Sequence, residues 1–201
     1  MPWRGDGDQS ALRDARHLLA APALPEALGA WLAEQPQENL EQIADRSLER
    51  TTHYKWFLGS GSGGYTVWLH EYKPPEVFAR AVDFAASVHN HRYGFCSRVL
   101  SGALHVSEFM TGEPHEPIRP MTSRTIGQGQ TMLLSHEDVH RVDRVEPRTC
   151  TLLIQAPPTR SFSTCYDMTS GLGRRVYDLQ SRLPHTIELL SAVCRDGLSV
   201  G

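Results

Sequence analysis

The feature that most limits the fold is an alternation of apolar and polar residues in short segments through the middle of the chain. Successive side chains of a β-strand point to opposite faces, so this period of two predicts strands. Glycine, proline and aspartate separate the segments, as is typical of turns between antiparallel strands. The predicted strands cover residues 65–72, 77–84, 97–100, 104–109, 131–134 and 149–154. Short strands in this number predict an all-β sandwich or barrel.

The first 52 residues follow a different pattern, in which apolar residues recur three or four positions apart. This spacing places them on one face of a helix. The apolar positions are Leu12, Ala15, Leu18, Leu19, Leu28, Trp31, Leu32, Leu40, Ile43, Ala44 and Leu48. We therefore expect residues 1–52 to form a helical segment that packs on a β-barrel domain of residues 53–201. A final strand at 176–183 and a closing helix at 186–192 are expected at the end of that domain.

Composition and charge exclude several classes of function. A chain of 201 residues with a net charge of −3 fits one domain and offers no basic surface for nucleic acid. No stretch of about 18 consecutive apolar residues predicts a membrane span. The four cysteines, Cys96, Cys150, Cys165 and Cys194, show no CxxC spacing, so we expect free thiols and a cytoplasmic protein. The expected partner is a small-molecule substrate, and the expected state is a monomer or homodimer.

Three histidines predict a metal site. His89 and His91 are two positions apart, so on a strand both imidazoles project from the same face. Gly102 follows the next predicted strand, and a second glycine turn begins at Gly127. The chain then returns through the turn 135–138 to an isolated His140. Histidine is a frequent ligand of transition metals, so we expect His89, His91 and His140 to converge on one ion.

His136 is a competing third ligand, because it lies only four residues before His140. It belongs to the polar turn 135–138, where an exposed turn histidine is the simpler interpretation. The remaining histidines considered lack a paired ligand in the sequence, and we expect them to be surface or capped residues: His53, His70, His105, His115 and His185.

The HxH pair, the glycine after the next strand and the returning histidine resemble the two motifs of cupins, small β-barrels that hold a metal ion. Many cupins carry a carboxylate ligand shortly after the HxH pair, whereas residues 92–96 of this chain contain no aspartate or glutamate. The predicted ligand set is then three neutral imidazoles. A divalent ion held this way keeps its full charge, attracts an anionic ligand and leaves open coordination positions.

The same positions resemble cysteine dioxygenase, a family of Fe(II) cupins that oxidise a thiol to a sulfinate. The resemblance covers residues 54–183 and includes Tyr65-Thr66, His89-Asn90-His91, Cys96, Gly102, Gly127-Gln128-Gly129-Gln130, His140-Arg141-Val142, Pro157-Pro158, 163–167 and 169–171. It implies an oxygenase with Fe(II) as cofactor and O2 as co-substrate, although Ni, Zn or Mn can occupy such a site in isolated protein. The metal ligands implied are His89, His91 and His140.

Two departures from the family change the expected substrate. Val67 stands where the family has an arginine that binds the substrate carboxylate, and valine offers no charged hydrogen bond. Residues 153–156 contain no tyrosine, which excludes a cross-link between Cys96 and that segment. We therefore expect a thiol or related amino-acid derivative other than plain cysteine.

Six further residues are candidates for the site. Cys96 and Gln155 are expected to act as catalytic residues, and Tyr65, Val67 and Cys165 to line the substrate-binding site. Arg98 shares strand parity with Cys96, so it is a candidate anchor for an anionic substrate if that face points inward. Tyr65 and Gln155 can supply neutral hydrogen bonds.

Two other functions fit the same residues. One is a cupin that uses its metal as a Lewis acid for isomerase, hydrolase or lyase chemistry without O2. The other is a cupin that binds a small molecule without catalysis and signals through its helical N-terminus. Turnover without O2 favours the first, and a ligand that is recovered unchanged with O2 present favours the second.

Overall fold

The computed structural model describes residues 6–82, 84–112, 116–177, 183, 186–188 and 191. Its helices are α1 (Asp6–Leu19), α2 (Leu24–Ala33), α3 (Gln37–Asp45) and α4 (Pro75–Phe78), with 3-10 turns at Ser62–Gly64 and Phe84–Ala86. Its strands are β1 (Leu48–Glu49), β2 (His53–Ser60), β3 (Thr66–Tyr72), β4 (Val88–His89), β5 (Phe95–Ser101), β6 (Ala103–Met110), β7 (Arg119–Gly127), β8 (Thr131–Leu134), β9 (Val139–Val145), β10 (Cys150–Gln155), β11 (Phe162–Tyr166) and β12 (Gly173–Tyr177).

The strands form two six-stranded antiparallel sheets. Sheet A has the order β1-β2-β3-β10-β5-β8, and sheet B has the order β12-β11-β4-β9-β6-β7. The predicted all-β fold with an N-terminal helical segment is therefore confirmed, and this two-sheet architecture is the one expected of a cupin. No helix in the described part of the chain is long and apolar enough to cross a membrane.

A core of side chains from both sheets fills the space between them, which we call the barrel interior. Since side chains alternate along each strand, only every second residue of a strand reaches this core. Its buried members are Phe78, Phe95, Val99, Leu104, Val106, Ile126, Met132, Leu134, Val145 and Leu153, and Trp68, Tyr72, Tyr93 and Val142 pack against them.

A second cluster lies on the outer face of sheet A, where helix α1 covers the strands. It is formed by Leu12, Ala15, Leu19, Cys96, Leu152 and Ala156, and we call it the helix–sheet cluster. Its three helical members are among the four apolar positions of α1 that the sequence spacing placed on one face, whereas the fourth, Leu18, is exposed. Burial of this face explains how the N-terminal segment attaches to the sheets.

The turn between β5 and β6 depends on Gly102. Its φ is +70°, a left-handed conformation that glycine adopts without steric cost. A Cβ atom at this position would overlap Thr149 Oγ1. The glycine in the sequence motif is therefore needed for the hairpin itself.

The predicted strand at 77–84 is wrong. Pro75 begins the short helix α4, because its fixed φ suits the first helical position, and Phe78 then packs in the barrel interior. The short strands β4 and β11 and the long strands β2, β7 and β9 were missed by the alternation pattern. The predicted strand at 176–183 begins within β12, but most of it lies outside the described residues. Of the predicted helix at 186–192, residues 186–188 and 191 are described, and they are helical.

Candidate metal centre

Two neighbouring strands of sheet B bring the three histidines together. His89 ends β4 and pairs directly with His140 of β9, and His91 follows two residues after His89. One ring nitrogen from each histidine lies within 4.8 Å of those of the other two. His89 and His140 are buried, whereas His91 is partly exposed. The cross-strand pair His89–His140, together with His91 just beyond the end of β4, thus forms a convergent set of donors.

The surroundings keep the imidazoles of His91 and His140 neutral. Burial, followed by the charges of the neighbouring imidazoles, holds the pKa of His91 well below its usual value. Burial and the imidazole of His89 lower the pKa of His140 to about 3, and the backbone of Asp138 acts weakly in the opposite direction. Neutral imidazoles keep a nitrogen lone pair, which is the form that binds metal ions.

Hydrogen bonds fit the histidines to a metal ion. His89 Nδ1 lies 2.8 Å from the carbonyl oxygen of Ser87. A carbonyl only accepts, so Nδ1 carries the hydrogen and the lone pair of His89 is on Nε2, the arrangement usual for ligating histidines. His140 is buried, and the backbone of Asp138, two residues earlier, is the hydrogen-bonding group that acts on its ring. Three ring nitrogens that converge in a buried site, with the lone pair of His89 on Nε2, fit a metal ion.

Aromatic rings surround the cluster. The ring of Phe84 lies 4.2 Å from that of His89, and the ring of Phe95 lies 5.2 Å from that of His91. Tyr93 stacks on His91 at 5.1 Å with an interplanar angle of 19°. These rings fix the imidazole orientations and limit water at the site.

The nearest carboxylate by strand register is Glu108, which pairs directly with His140 across β6 and β9. Its Oε1 accepts a hydrogen bond of 2.6 Å from Arg124 Nη2, which neutralises its charge. No carboxylate or thiol joins the three histidines in the cluster found among the described residues. The donor set is therefore three neutral nitrogens, as the sequence predicts.

Gln155 lies on the interior face of sheet A. It pairs with Phe95 of β5, and Phe95 contacts two of the three histidines. Its Oε1 accepts a hydrogen bond of 3.3 Å from Lys55 Nζ. The structure thus brings Gln155 to the same side of the sheet as the histidine cluster.

Lys55 was missed by sequence reasoning, because β2 shows no clear alternation. Its amine lies 4.2 Å from the centre of the Trp68 ring and 5.9 Å from that of Tyr93. Burial, followed by the charges of Arg50 and Arg92, lowers the pKa of Lys55 to about 7. The only signal in the sequence was a lysine between two aromatic residues, Tyr54 and Trp56.

Cys165 lies one strand away from the cluster. It is buried on β11 directly opposite His89, and Ser87 Oγ donates a hydrogen bond of 3.3 Å to its sulfur. Side chains of directly paired residues share a face of the sheet. Cys165 therefore shares the face of His89, in agreement with its predicted proximity to the site.

The expectation that Cys96, Arg98, Tyr65 and Val67 line the site is corrected. Phe95 faces the barrel interior, so the next residue, Cys96, faces outward and packs in the helix–sheet cluster. Arg98 has the same parity, and its Nη1 donates to the carbonyl oxygens of Leu19 and Ala21 at 2.7 and 2.5 Å. The side chains of Tyr65 and Val67 pack against the same helix–sheet cluster.

The competing histidine, His136, does not join the cluster. Its Nε2 lies 3.9 Å from Glu137 Oε1, within the polar turn where the sequence placed it. Arg160 Nη2 donates to the backbone oxygens of His136 and His91 at 2.6 and 2.8 Å, which fixes this turn beside the site. His115 and His185 lie outside the described residues.

Comparisons with known proteins give partial structural similarity only. No protein-family model and no curated protein matches the sequence. Oxalate decarboxylase from Bacillus subtilis is 14% identical over 59% of this chain, with a TM-score of 0.42, and the match spans 29% of that protein. KdgF from Halomonas sp. is 14% identical over 57% of this chain and 88% of its own, with a TM-score of 0.40. A Rhizobium leguminosarum protein of unknown function is 22% identical over 57% of this chain and 92% of its own, with a TM-score of 0.38.

Proposed function

We propose that this chain is a metal-dependent enzyme in which His89, His91 and His140 hold Fe(II), and that it uses O2 to oxidise a small substrate bound to the metal. The substrate class is a thiol or a related amino-acid derivative other than plain cysteine. The observation that supports this most directly is the convergence of three neutral imidazoles within 4.8 Å, with no carboxylate among the described donors.

A bound Fe(II) would supply Lewis acidity and open coordination positions for an anionic ligand and for O2. The neutral histidines leave its positive charge uncancelled, which favours a thiolate over a neutral ligand. Ser87 holds His89 in one tautomer through its carbonyl oxygen. The rings of Phe84, Tyr93 and Phe95 hold the imidazoles in place and limit water around them. Gln155 can orient the substrate by hydrogen bonds from its amide.

The orientation of strand β3 supports the proposal that the substrate is not plain cysteine. Val67 packs against the helix–sheet cluster beneath helix α1, so a side chain at this position points away from the histidines. A carboxylate clamp of the type expected from the family resemblance is therefore missing at its usual position. The binding of plain cysteine would need another cation.

The test is oxygen uptake by anaerobically Fe(II)-loaded protein with cysteine, cysteamine, homocysteine and 3-mercaptopropionate, and mass analysis of the products. We expect uptake with a sulfinate product for at least one thiol other than cysteine. Absence of uptake with every thiol, from protein that contains one iron per chain, contradicts the thiol dioxygenase. Turnover under strict anaerobiosis would instead support the Lewis-acid alternative.

A further inference from the structure

The barrel interior contains a cation that the metal site does not explain. Lys55 lies on β2, directly opposite His70, and its amine points over the rings of Trp68 and Tyr93. No carboxylate lies within ion-pair distance of this amine in the described part of the chain. The face of Trp68 and the Oε1 of Gln155 stabilise the amine in part, but no counter-ion among the described residues neutralises its charge.

The residues around the Lys55 amine are partly exposed. Phe95, Val99, Met132 and Leu153 are buried, whereas Lys55, Trp68, Tyr93, His91 and Gln155 are all partly exposed. Lys55 contacts Trp68, Tyr93 and Gln155, and Tyr93 contacts His91, so these partly exposed residues are continuous from the amine to the histidine cluster.

Tyr93 links the amine to the histidine cluster. The centre of its ring lies 5.9 Å from Lys55 Nζ and 5.1 Å from the centre of the His91 ring. A molecule that spans one aromatic ring can reach both.

Lys55 and Gln155 together suit the two oxygens of a carboxylate. Gln155 Oε1 accepts from the Lys55 amine at 3.3 Å, so the amide NH2 group lies beside the ammonium. An ammonium and an amide NH2 side by side are two donors, and a carboxylate has two acceptor oxygens. The charges of Arg50 and Arg92 near the amine add positive potential that attracts the anion.

We infer that Lys55 and Gln155 form an anion-binding subsite that holds the carboxylate of a small substrate while its other end reaches the histidine cluster. The part of this inference that places the other end of the substrate on the metal rests on the proposed function. This subsite takes the role of anion anchor that the sequence analysis expected of Arg98. The guanidinium of Arg98 is instead hydrogen-bonded to the backbone at the end of helix α1. The substrate class becomes an ω-mercapto carboxylate.

The experiment compares matched acids and amides. Zn(II)-loaded protein is titrated by calorimetry at pH 6.5 with mercapto carboxylates of one to four methylene groups, each paired with the amide of equal length. Zinc binds thiolates without redox chemistry, so neither iron nor O2 is needed. We expect at least one acid to bind ten-fold tighter or more than its amide.

Two variants assign this preference to Lys55. Lys55→Met should reduce it to less than three-fold and leave amide affinity and zinc content unchanged, whereas Lys55→Arg should retain it. Lys73→Met is the matched control, because Lys73 also lies near an aromatic ring but is paired with Glu49 at 2.6 Å. A preference that persists in Lys55→Met overturns the inference, because the metal charge alone then explains it.

A second titration distinguishes a failure of the proposed function from a failure of the subsite. If no thiol binds through the metal, metal-free protein is titrated with propionate and propanamide. A preference for propionate that is lost in Lys55→Met supports the subsite and counts against thiol coordination. The absence of any preference in both titrations overturns the subsite. Should Lys55→Met fail to fold by circular dichroism, Gln155→Leu provides the second variant and should lower the preference at least three-fold.

Discussion

His89 and His140 face each other directly across the ladder between β4 and β9, with ring centres 4.8 Å apart. Direct cross-strand pairing fixes two ligands by backbone hydrogen bonds, and His91 joins them from the segment that follows β4. Two of the three ligands are thus held by the strand ladder, and Arg160 fixes the backbone of the third. Loss of any one ring should therefore not be compensated by movement of another histidine.

His140→Ala should lower the affinity for Zn(II) by at least ~100-fold, more than the loss expected for a residue that only supports a ligand. His136→Ala is the matched control, because His136 lies four residues away in the turn and should bind metal normally. Metal content after dialysis and competition with a chelator measure both variants. Equal retention of metal by His140→Ala and His136→Ala would remove His140 from the site.

Arg98 should act on stability and not on ligand binding. Its guanidinium donates to the carbonyl oxygen of Leu19, the last residue of helix α1, and to that of Ala21 just beyond it, where a positive charge also favours the helix dipole. Arg98→Met removes two charge-assisted hydrogen bonds, and we expect the unfolding free energy to fall by about 3 kcal/mol. Urea unfolding measures this loss.

The same variant separates the two interpretations of Arg98. Metal content and the preference for a carboxylate over its amide should stay within two-fold of wild type. A stable Arg98→Met protein that has lost the carboxylate preference would restore Arg98 as the anchor.

Local patterns predicted what depends on local spacing. The HxH pair, Gly102 and the returning His140 sufficed to expect a common site, because alternation and hairpin geometry follow from neighbours in sequence. Parity also related Cys96 to Arg98 correctly. It did not reveal which face of β5 points inward, because both faces are buried, one by the barrel interior and one by helix α1.

Lys55 shows a second limit of prediction from sequence, because a contact between distant parts of the chain leaves no local pattern. Its proximity to Gln155 joins residues 100 positions apart on β2 and β10, and no spacing in the sequence reports such a contact. Strand β2 also contains a register shift between Phe57 and Gly59, which obscures the alternation. The histidines could be assigned from the sequence, whereas the cation beside them required the sheet order.

Cys96 should be unreactive in the folded protein. Its side chain is fully buried in the helix–sheet cluster, and burial raises the pKa of the thiol to about 11. At pH 8 the reactive thiolate is therefore scarce as well as inaccessible. Iodoacetamide followed by peptide mass mapping should leave Cys96 unmodified in native protein and modify it in urea. Rapid native labelling would contradict its placement beneath α1.

Carboxylate binding should weaken as the pH rises. The charged or titratable groups around Lys55 are Arg50, Arg92, His70, His91 and Tyr93. Because the pKa of free Lys55 is about 7, a bound carboxylate requires uptake of a proton above that pH. The acid-to-amide preference should therefore be greatest at pH 6 and fall by at least ten-fold at pH 9. Thiol ionisation is common to both ligands and cancels in the ratio, so a constant ratio would exclude Lys55 as its source.

The low pKa of Lys55 also makes a prediction for stability, independent of any ligand. In the unfolded chain the amine titrates near its ordinary pKa of 10.5, whereas in the folded protein it titrates near 7. Between these values the unfolded chain binds a proton that the folded protein does not, so the contribution of Lys55 to stability rises with pH. The destabilisation caused by the Lys55 amine is therefore largest below pH 7, and it disappears as the pH approaches 10.5.

Lys55→Met removes this titration, so it should raise the unfolding free energy relative to wild type at pH 7 and change it much less at pH 10. Urea unfolding of both proteins at the two pH values measures the difference, and other titrating groups cancel in the comparison. Lys73→Met should show no such gain at pH 7, because it removes an ammonium that forms an ion pair with Glu49. If Lys55→Met differs from wild type by the same amount at both pH values, the Lys55 amine has an ordinary pKa. The interior is then more hydrated than the burial of its neighbours implies, and an anion bound there would gain less from the ammonium.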